Sequence, residues 1–232
     1  MFDYRVEAGN PARLGVTRNG KDINFAVVVR DRKDCCLLLY KKGTEEIAAK
    51  LSFTEEMRFG DICTMQIRRL PVNEYEYNYL IDGEVTPDPY ARVICGREKW
   101  GTRPEGVHAL RSGMQAERFF WQGDRPLMLP YEECILYVTH VRGFTMDPSS
   151  RSRHPGTFAG IKEKIPYLKS MGINQLELMP VYEFAEYEQK RPSKKHMPVS
   201  RSAAEQINYW GYADAYYFAP KAAYSHSEDP IR

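Results

Sequence analysis

The sequence predicts a β-sandwich followed by a strand–helix–strand unit whose two strands run parallel. Short apolar runs separated by turn residues fill residues 1–95, which is typical of a sandwich. A longer apolar run without polar alternation starts at residue 134, and a helical stripe and a second apolar run follow it. The chain of 232 residues is long enough for one large domain or two smaller ones.

Residues 1–95 are expected to form an all-β unit. Turn pairs such as Asn19-Gly20 and Asp82-Gly83 separate segments that are rich in β-branched and aromatic residues. The predicted strands are 23–29, 35–40, 62–67 and 75–81. Short strands at this spacing favour a sandwich.

Three tyrosines alternate along the last of these strands. Tyr75, Tyr77 and Tyr79 share one face, because side chains along a strand alternate with a period of two. That face either packs into the core, which is the favoured interpretation, or forms a platform for stacking sugar rings. The second interpretation stays open because a tyrosine ring combines an apolar face with a polar tip.

Residues 96–130, mixed and rich in Arg, Gly and Pro, are expected to be a linker and packing segment, and residues 131–232 a second unit. In that unit we predict a strand over 134–141, a loop over 142–156, a helix over 158–172 and a strand over 173–181. Strand 134–141 is expected to be buried on both faces. The order predicts a right-handed βαβ unit, which can open either a barrel or a doubly wound sheet.

The predicted helix carries both a break and an end signal. Pro166 excludes helical angles at Ile165, so we expect a kink or two short helices. Gly172 is a candidate C-cap. The apolar stripe of the helix comprises Phe158, Ile161, Ile165, Leu168 and Gly172.

Charge and cysteine content exclude several classes of protein. The net charge of +2 gives no global attraction to nucleic acid or to an anionic membrane, so neither is an expected partner. The N-terminal residues lack the apolar segment of a secretory signal, and no uncharged run approaches the ~20 residues of a membrane helix. Five cysteines without CxxC spacing predict reduced thiols and a cytoplasmic location; they are Cys35, Cys36, Cys63, Cys95 and Cys134.

Few residues point directly to chemistry. Motifs for phosphate, dinucleotide or zinc-protease chemistry are absent, and the histidines lack ligand spacing, so we expect no metal and no cofactor. Glycoside hydrolysis needs a carboxylate pair, but Glu177 lies inside a predicted strand and is interpreted as structural. Asp214 follows a Trp-Gly-Tyr triplet and is a candidate for lining a site.

Two segments near the end of the chain are predicted to be loops. Residues 182–206 are polar and lysine-rich in the middle, and acidic residues precede the basic run, so they fit a solvated insertion better than a nucleic-acid patch. Residues 206–220, QINYWGYADAYYFAP, show neither helical nor strand periodicity. This aromatic segment is expected to be a rigid loop that either packs internally or offers a flat surface to a ring-shaped ligand.

Long stretches of the sequence resemble a known family. ILYVTHVRGFT at 135–145, ELMPVYEF at 177–184 and NYWGYADAYYFAPKAAYS at 208–225 resemble the α-amylase superfamily of glycoside hydrolases, in its glycogen debranching, isoamylase and pullulanase branch. Residues 14–91 are similar to the sandwich that precedes the barrel in those enzymes. The resemblance implies an early-set, immunoglobulin-like β-sandwich of the carbohydrate-binding type. It also implies that the first βα units of a (β/α)8 TIM-type barrel follow, with the barrel incomplete.

The resemblance also implies a substrate and a set of contacts. The NYWGY motif presents a tyrosine that stacks on the sugar before the scissile bond, and the matching residue is Tyr212, with Asn208, Tyr209 and Trp210 shaping the same wall. The expected partner is an α-glucan such as glycogen, starch or dextrin. By contrast, the residues Tyr216, Tyr217 and Phe218 are expected to pack the loop.

The sequence departs from the family in two places. Val138 stands where the family usually has an acidic residue, with Thr139 next. The family's three catalytic carboxylates lie on later barrel strands than those found here, so no catalytic residue is assigned and this chain alone is expected to be inactive. The intact enzyme would hydrolyse α-1,6 linkages with retention. The alternative is a non-catalytic α-glucan-binding protein, and unpaired barrel strands predict possible self-association.

Overall fold

Two antiparallel sheets make up the first part of the protein. The computed structural model describes residues 3–114, 120–187 and 207–227. One sheet contains β1 (Val6–Ala8), β2 (Gly15–Asn19), β3 (Asp22–Val28), β6 (Arg58–Phe59) and β7 (Ile62–Ile67), in the order β1-β7-β3-β2 with β6 beside β7. The other contains β4 (Cys35–Lys41), β5 (Ile47–Ser52), β8 (Tyr75–Ile81), β9 (Glu84–Thr86), β10 (Ile94–Cys95) and β11 (Arg111–Gly113). The four strands predicted from sequence are confirmed within one residue at each end.

The two sheets share one apolar core, and the tyrosine stripe lies in it. Tyr77 and Tyr79 are fully buried, and the Tyr77 ring meets the Phe25 ring edge-on at 5.2 Å between centroids. Tyr75 is half-buried and packs against Tyr4 at 6.3 Å. The core interpretation is therefore confirmed, and the sugar-platform interpretation is wrong because no face of Tyr77 or Tyr79 reaches solvent.

The segment expected to be linker and packing, residues 96–130, adds a strand to this sandwich. β11 lies within 96–130 and pairs with β8, with Ser112 opposite Tyr77. Ser112 also accepts a hydrogen bond through Oγ from the Asp88 N–H at 2.8 Å. Sequence periodicity missed this strand because three residues are too short to show an alternation.

A parallel pair of strands forms the second part. β12 (Leu136–Thr139) pairs with β13 (Gln175–Leu178), with Leu136 opposite Gln175 and Thr139 opposite Leu178. β12 is shorter than the predicted strand 134–141 because His140 ends it. The His140 side chain accepts a hydrogen bond at Nδ1 from the Gly143 N–H at 3.0 Å and caps helix α1 (Val141–Met146), so the predicted loop 142–156 also begins with a helix.

The region predicted as a helix with a break forms two short helices. α2 (Phe158–Glu163) and α3 (Ile165–Ser170) meet at Lys164, one residue before the predicted break, with Pro166 in the first turn of α3. Met171 is the C-cap of α3, one position before the predicted cap, and Gly172 ends the helix at φ +81°. The Gly172 N–H donates to the Lys169 carbonyl, and the Ile173 N–H donates to the Leu168 carbonyl.

The burial of this second part differs from the expectation. In the stripe, Ile161 and Leu168 are buried but Ile165 is 45% exposed. Leu136 and Val138 of β12 are 48% and 49% exposed, so burial on both faces is wrong for this chain. Among the described residues, β13 is the only strand that pairs with β12.

The aromatic segment contains a strand rather than only a loop. β14 (Tyr182–Phe184) pairs antiparallel with β15 (Ala215–Pro220), with Glu183 opposite Tyr216 and a register shift next to Tyr182. The predicted basic insertion lies mostly in 188–206, outside the described residues. Because β15 finds its partner more than thirty residues away, local periodicity could not reveal it.

The aromatic side chains of β15 contact residues of the sandwich region and of β14. Tyr216 packs on a small core formed by Ala91, Ile94, Leu110 and Ala219. Tyr217 and Phe218 are each 61% exposed, and their rings contact Tyr182 at 5.0 Å and Tyr90 at 5.8 Å. The expected packing role is therefore clear for Tyr216 and partial for the other two.

Candidate functional site

A tight turn at residues 208–212, called here the aromatic turn, presents two aromatic side chains to solvent. The Asn208 Oδ1 accepts a hydrogen bond from the Gly211 N–H at 3.1 Å and closes the turn. Gly211 has φ +80°, and a Cβ there would lie 2.5 Å from the Phe184 ring, so only glycine fits. Trp210 and Tyr212 flank this glycine and are 55% and 71% exposed.

Tyr209, in contrast, faces the interior. Its ring stacks on the His140 imidazole with 4.2 Å between centroids and 15° between planes. Its carbonyl oxygen lies 2.8 Å from His140 Nε2. The four residues expected to form one wall therefore divide: Trp210 and Tyr212 form a surface, while Asn208 and Tyr209 hold it in place.

His140 is a neutral, buried link between α1 and the aromatic turn. Since Nδ1 accepts from the Gly143 N–H, the ring proton is on Nε2, which donates to the Tyr209 carbonyl. Burial lowers the pKa of His140 below its usual value, and Arg142 adds to this effect. The Tyr224 hydroxyl also lies 3.2 Å from Nε2.

Trp100, from the segment expected to be a linker, is the centre of the aromatic cluster behind the turn. Its indole stacks on Tyr224 with 5.8 Å between centroids and 17° between planes. It meets Tyr209 edge-on at 5.9 Å and Phe184 at 6.1 Å. The Arg142 guanidinium lies 5.0 Å from the ring centroid, within cation–π range.

Four charged side chains are buried beneath this cluster; we call Arg97, Glu183, Glu186 and Lys221 the buried charge cluster. Lys221 Nζ lies 2.9 Å from Glu183 Oε1 and 2.7 Å from Glu186 Oε1. Arg97 Nη1 lies 3.7 Å from Glu183 Oε1. Burial raises the pKa of Glu183, while Lys221 opposes the shift.

The two carboxylates of this cluster cannot act on a substrate in the observed arrangement. The second oxygen of Glu183 accepts the Ala222 N–H at 2.7 Å, and that of Glu186 accepts the Gly101 N–H. Glu183 is 0% and Glu186 4% exposed. Each of the two carboxylates is paired with a cationic side chain and accepts a hydrogen bond from a backbone N–H. Glu183 and Glu186 therefore have a structural role here.

Comparisons with known proteins agree with the family resemblance. No family model matches the chain. A chloroplastic isoamylase of Zea mays is 33% identical over 248 residues, which cover 96% of this chain and 30% of the isoamylase. A glycogen debranching enzyme of Klebsiella pneumoniae is 29% identical over 253 residues, which cover 97% of this chain and 36% of that enzyme. The chain is thus a sequence relative of debranching enzymes over nearly its whole length.

A solved structure agrees on the fold of this debranching-enzyme relative. A pullulanase from Paenibacillus barengoltzii, in complex with maltohexaose and α-cyclodextrin, superposes with a TM-score of 0.72 over 96% of this chain and 34% of the pullulanase, at 18% sequence identity. The chain thus spans about a third of the length of the relatives it matches.

The remaining candidate carboxylates lie apart from the buried charge cluster. Asp214 is exposed two residues after Tyr212, beside the aromatic turn. Glu177 lies on β13 opposite Val138 and is exposed. In residues 3–114, 120–187 and 207–227, no group of three or more His, Cys, Asp or Glu side chains could hold a metal ion.

Sequence reasoning missed the residues that hold the aromatic turn. Trp100 lay in a segment interpreted as linker, and Glu183, Glu186 and Lys221 gave no sign of burial. No local signal marked His140 as an N-cap either, because the usual N-cap residues are Ser, Thr, Asp and Asn. The other contacts are long-range and have no local signature.

Two further properties concern the helices and the cysteines. No helix among the described residues is long and apolar enough to cross a membrane. All five cysteines are free thiols.

Proposed function

We propose that this chain provides the glucan-gripping part of a hydrolase that cleaves α-1,6 branch linkages of glycogen or starch-derived dextrins. The observation that carries the proposal is the aromatic turn, which exposes Tyr212 beside Trp210. The homologous isoamylase and glycogen debranching enzymes, and the pullulanase that was solved with maltohexaose, support an α-glucan as the ligand.

The turn can hold a glucose ring by stacking. The CH groups on one face of the sugar pack on the exposed Tyr212 ring, while sugar hydroxyls at the rim bond to polar groups and water. In this proposal Asp214, which is exposed two residues later, accepts one of the hydrogen bonds from a sugar hydroxyl. Trp210, which is 55% exposed on the other side of Gly211, would border the same sugar.

The proposal assigns a domain to each region. Residues 1–95 would be the carbohydrate-binding-like sandwich, 96–130 a linker and packing segment that also adds β11 to the sandwich, and 131–232 the start of the catalytic barrel. The parallel pairing of β12 with β13, with three short α-helices between them in sequence, supports a barrel start. The five free thiols support a reducing location such as the cytoplasm.

Cleavage in the intact enzyme would proceed with retention. One carboxylate would attack the anomeric carbon and a second, about 5 Å away, would protonate the leaving oxygen. Among the described residues, the close carboxylate pair Glu183 and Glu186 is closed off by Lys221. This chain is therefore assigned binding, and we expect no hydrolysis of pullulan or glycogen by it alone.

A second candidate function is non-catalytic α-glucan binding. The engaged state of Glu183 and Glu186 favours it, because an exposed aromatic surface without a reachable acid pair can bind but not cut. Both candidate functions use the same contact between the aromatic turn and a sugar. They differ in whether the chain supports cleavage when the rest of a debranching enzyme is present.

Binding is tested by isothermal titration with maltohexaose and by electrophoresis in gels containing glycogen. We expect retarded migration of the wild-type chain and loss of binding in Tyr212→Ala. Tyr167→Ala is the matched control, since Tyr167 is a tyrosine of comparable exposure, 54%, that belongs to α3 and not to the aromatic turn. Unretarded migration of folded wild-type protein would contradict both candidates.

A chimera separates the two candidates. This chain replaces the homologous segment of the Klebsiella pneumoniae glycogen debranching enzyme, and release of linear chains from limit dextrin is measured. The debranching proposal expects activity that falls in the Tyr212→Ala chimera but not in the Tyr167→Ala chimera. A folded chimera that binds glycogen and releases nothing supports the binding protein instead.

A further inference from the structure

The burial of these four charges has a desolvation cost, so a gain in stability does not by itself explain the buried charge cluster. Its two acids and two bases have no net charge, and all four side chains are at most 8% exposed. Removing such groups from water costs several kcal/mol per ion, so buried ion pairs rarely stabilise a protein more than apolar residues of similar size. They do impose a fixed direction on each partner, which suits a role in positioning.

Glu186 connects three separate segments of the chain. Its side chain accepts a hydrogen bond from the Gly101 N–H and pairs with Lys221 at 2.7 Å. Its backbone carbonyl accepts a hydrogen bond from the Asn208 N–H at 2.6 Å. One residue therefore fixes the segment that bears Trp100, the end of β15 and the first residue of the aromatic turn.

A continuous path of ring contacts leads from this residue to the exposed surface. Gly101 follows Trp100, whose indole meets the Tyr209 ring at 5.9 Å. The Tyr209 ring meets the Trp210 ring at 5.2 Å and 89°. Lys221 Nζ lies 5.8 Å from the Trp100 ring centroid and 4.8 Å from that of Phe184, so the cluster also contacts this path directly.

We propose that Glu186 is a positioning residue of the aromatic turn, which sets the pose of Trp210 and Tyr212 through Asn208 and through the Gly101–Trp100–Tyr209 contacts. The expected effect of Glu186 on glucan affinity rests on the proposed glucan-binding function. The other half of the inference, called here its structural half, is that Glu186 sets the orientation of Trp210, and it can be tested without any ligand.

The first experiment needs no sugar. The chain has three tryptophans, so labelling with 5-fluorotryptophan gives three ¹⁹F resonances that Trp→Phe variants assign. In Glu186→Ala we expect the Trp100 and Trp210 resonances to shift and the Trp121 resonance to stay. Glu186→Gln retains an oxygen for the Gly101 N–H and should shift them less.

The matched control is Glu76→Ala in the sandwich. Glu76 is also buried and paired, with Arg111 Nε at 2.7 Å, but it lies on β8 far along the chain from the turn. This variant should lower stability and leave the Trp210 resonance unchanged. If Glu186→Ala fails to fold, the double variant Glu186→Gln/Lys221→Met, which keeps the cluster neutral, takes its place.

The second experiment measures maltohexaose affinity of the same variants by titration calorimetry. Glu186→Ala should bind about ten-fold more weakly than wild type, equivalent to about 1.4 kcal/mol. Glu186→Gln should recover part of this loss, and Glu76→Ala should bind like wild type.

The outcomes separate the inference from the proposed function. If wild type binds and Tyr212→Ala does not, but Glu186→Ala binds normally with an unshifted Trp210 resonance, the positioning role is wrong and the function stands. If wild type does not bind while Glu186→Ala shifts Trp210, the function is wrong and the structural half stands. Unshifted Trp210 in every cluster variant overturns the inference regardless of binding.

Discussion

The His140 imidazole lies flat against the Tyr209 ring, with 4.2 Å between centroids, and binds the carbonyl of the same tyrosine at 2.8 Å. The residue that caps α1 therefore also fixes the inner side of the aromatic turn. The start of α1 and the candidate sugar-binding surface are therefore coupled through the neutral side chain of His140. Changes at the capping residue should consequently affect both stability and the pose of the turn.

The pH dependence of stability reports on His140. Its pKa is lowered in the folded state, so below about pH 6.5 the unfolded chain binds a proton that the folded chain does not. Stability is therefore lost as the pH falls through this window. We expect His140→Gln to be less stable at neutral pH but to lose less stability on acidification, as measured by urea unfolding. Equal slopes for the two proteins would contradict the assignment.

Asp88 should produce the opposite dependence. Its carboxylate is buried, accepts the Tyr77 hydroxyl at 2.7 Å, and burial raises its pKa to about 6. The folded state therefore binds a proton at higher pH than the unfolded state, and this group adds stability as the pH falls from 7 towards 4. The total is about 3 kcal/mol from a shift of about two pKa units.

Asp88→Asn removes this titration while keeping an oxygen for the Tyr77 hydroxyl. We expect the wild type to gain stability relative to Asp88→Asn between pH 7 and pH 5, measured by urea unfolding at each pH. His140 titrates in both proteins, so its contribution cancels in the difference. If the difference in unfolding free energy between the two proteins did not change with pH, the raised pKa of Asp88 would be contradicted.

Gly211→Ala tests the packing of the aromatic turn. The new Cβ would combine a positive φ with overlap on the Phe184 ring, so we expect a loss of about 2–4 kcal/mol in unfolding free energy. Gly20→Ala is the control, because Gly20 has φ +61° and nothing within 4 Å. That variant should lose only about 1–2 kcal/mol from backbone strain. Equal losses for both variants would mean that Phe184 moves away without cost.

The exposed strand β12 predicts self-association of this chain. Leu136 and Val138 are about half exposed on a strand that pairs only with β13 among the described residues, and such edges promote pairing with another chain. We expect concentration-dependent association by sedimentation velocity, reduced in Val138→Lys. Ile47→Lys on β5, where Ile47 is 44% exposed, is the control and should change nothing. A chain that stays monomeric at all concentrations would contradict this prediction.

Local patterns predicted a large part of the fold. The alternation at Tyr75, Tyr77 and Tyr79 placed a strand and its buried face, and Pro166 placed a helix break within one residue. These signals succeed because they depend on backbone angles and on side-chain periods of neighbouring residues. The three-residue strand β11 offered no period to detect and was missed.

The candidate site also has a part that local sequence patterns predicted and a part that they did not. Its motif identified Asn208 to Tyr212 and the family, but the sequence did not show that Tyr209 turns inward or that Trp100 packs behind it. Nor did it show that Glu183 and Glu186 are buried beside Lys221. These contacts join residues far apart in the chain, and only the folded backbone brings them together.

The sequence by itself determined four long strands of the sandwich, the two-helix break and the kinship to debranching enzymes, because each depends on neighbouring residues. Only the tertiary structure decided which aromatic side chains face solvent and which carboxylates are neutralised. Exposure and charge pairing depend on the distances between remote segments, and those distances do not exist until the chain has folded.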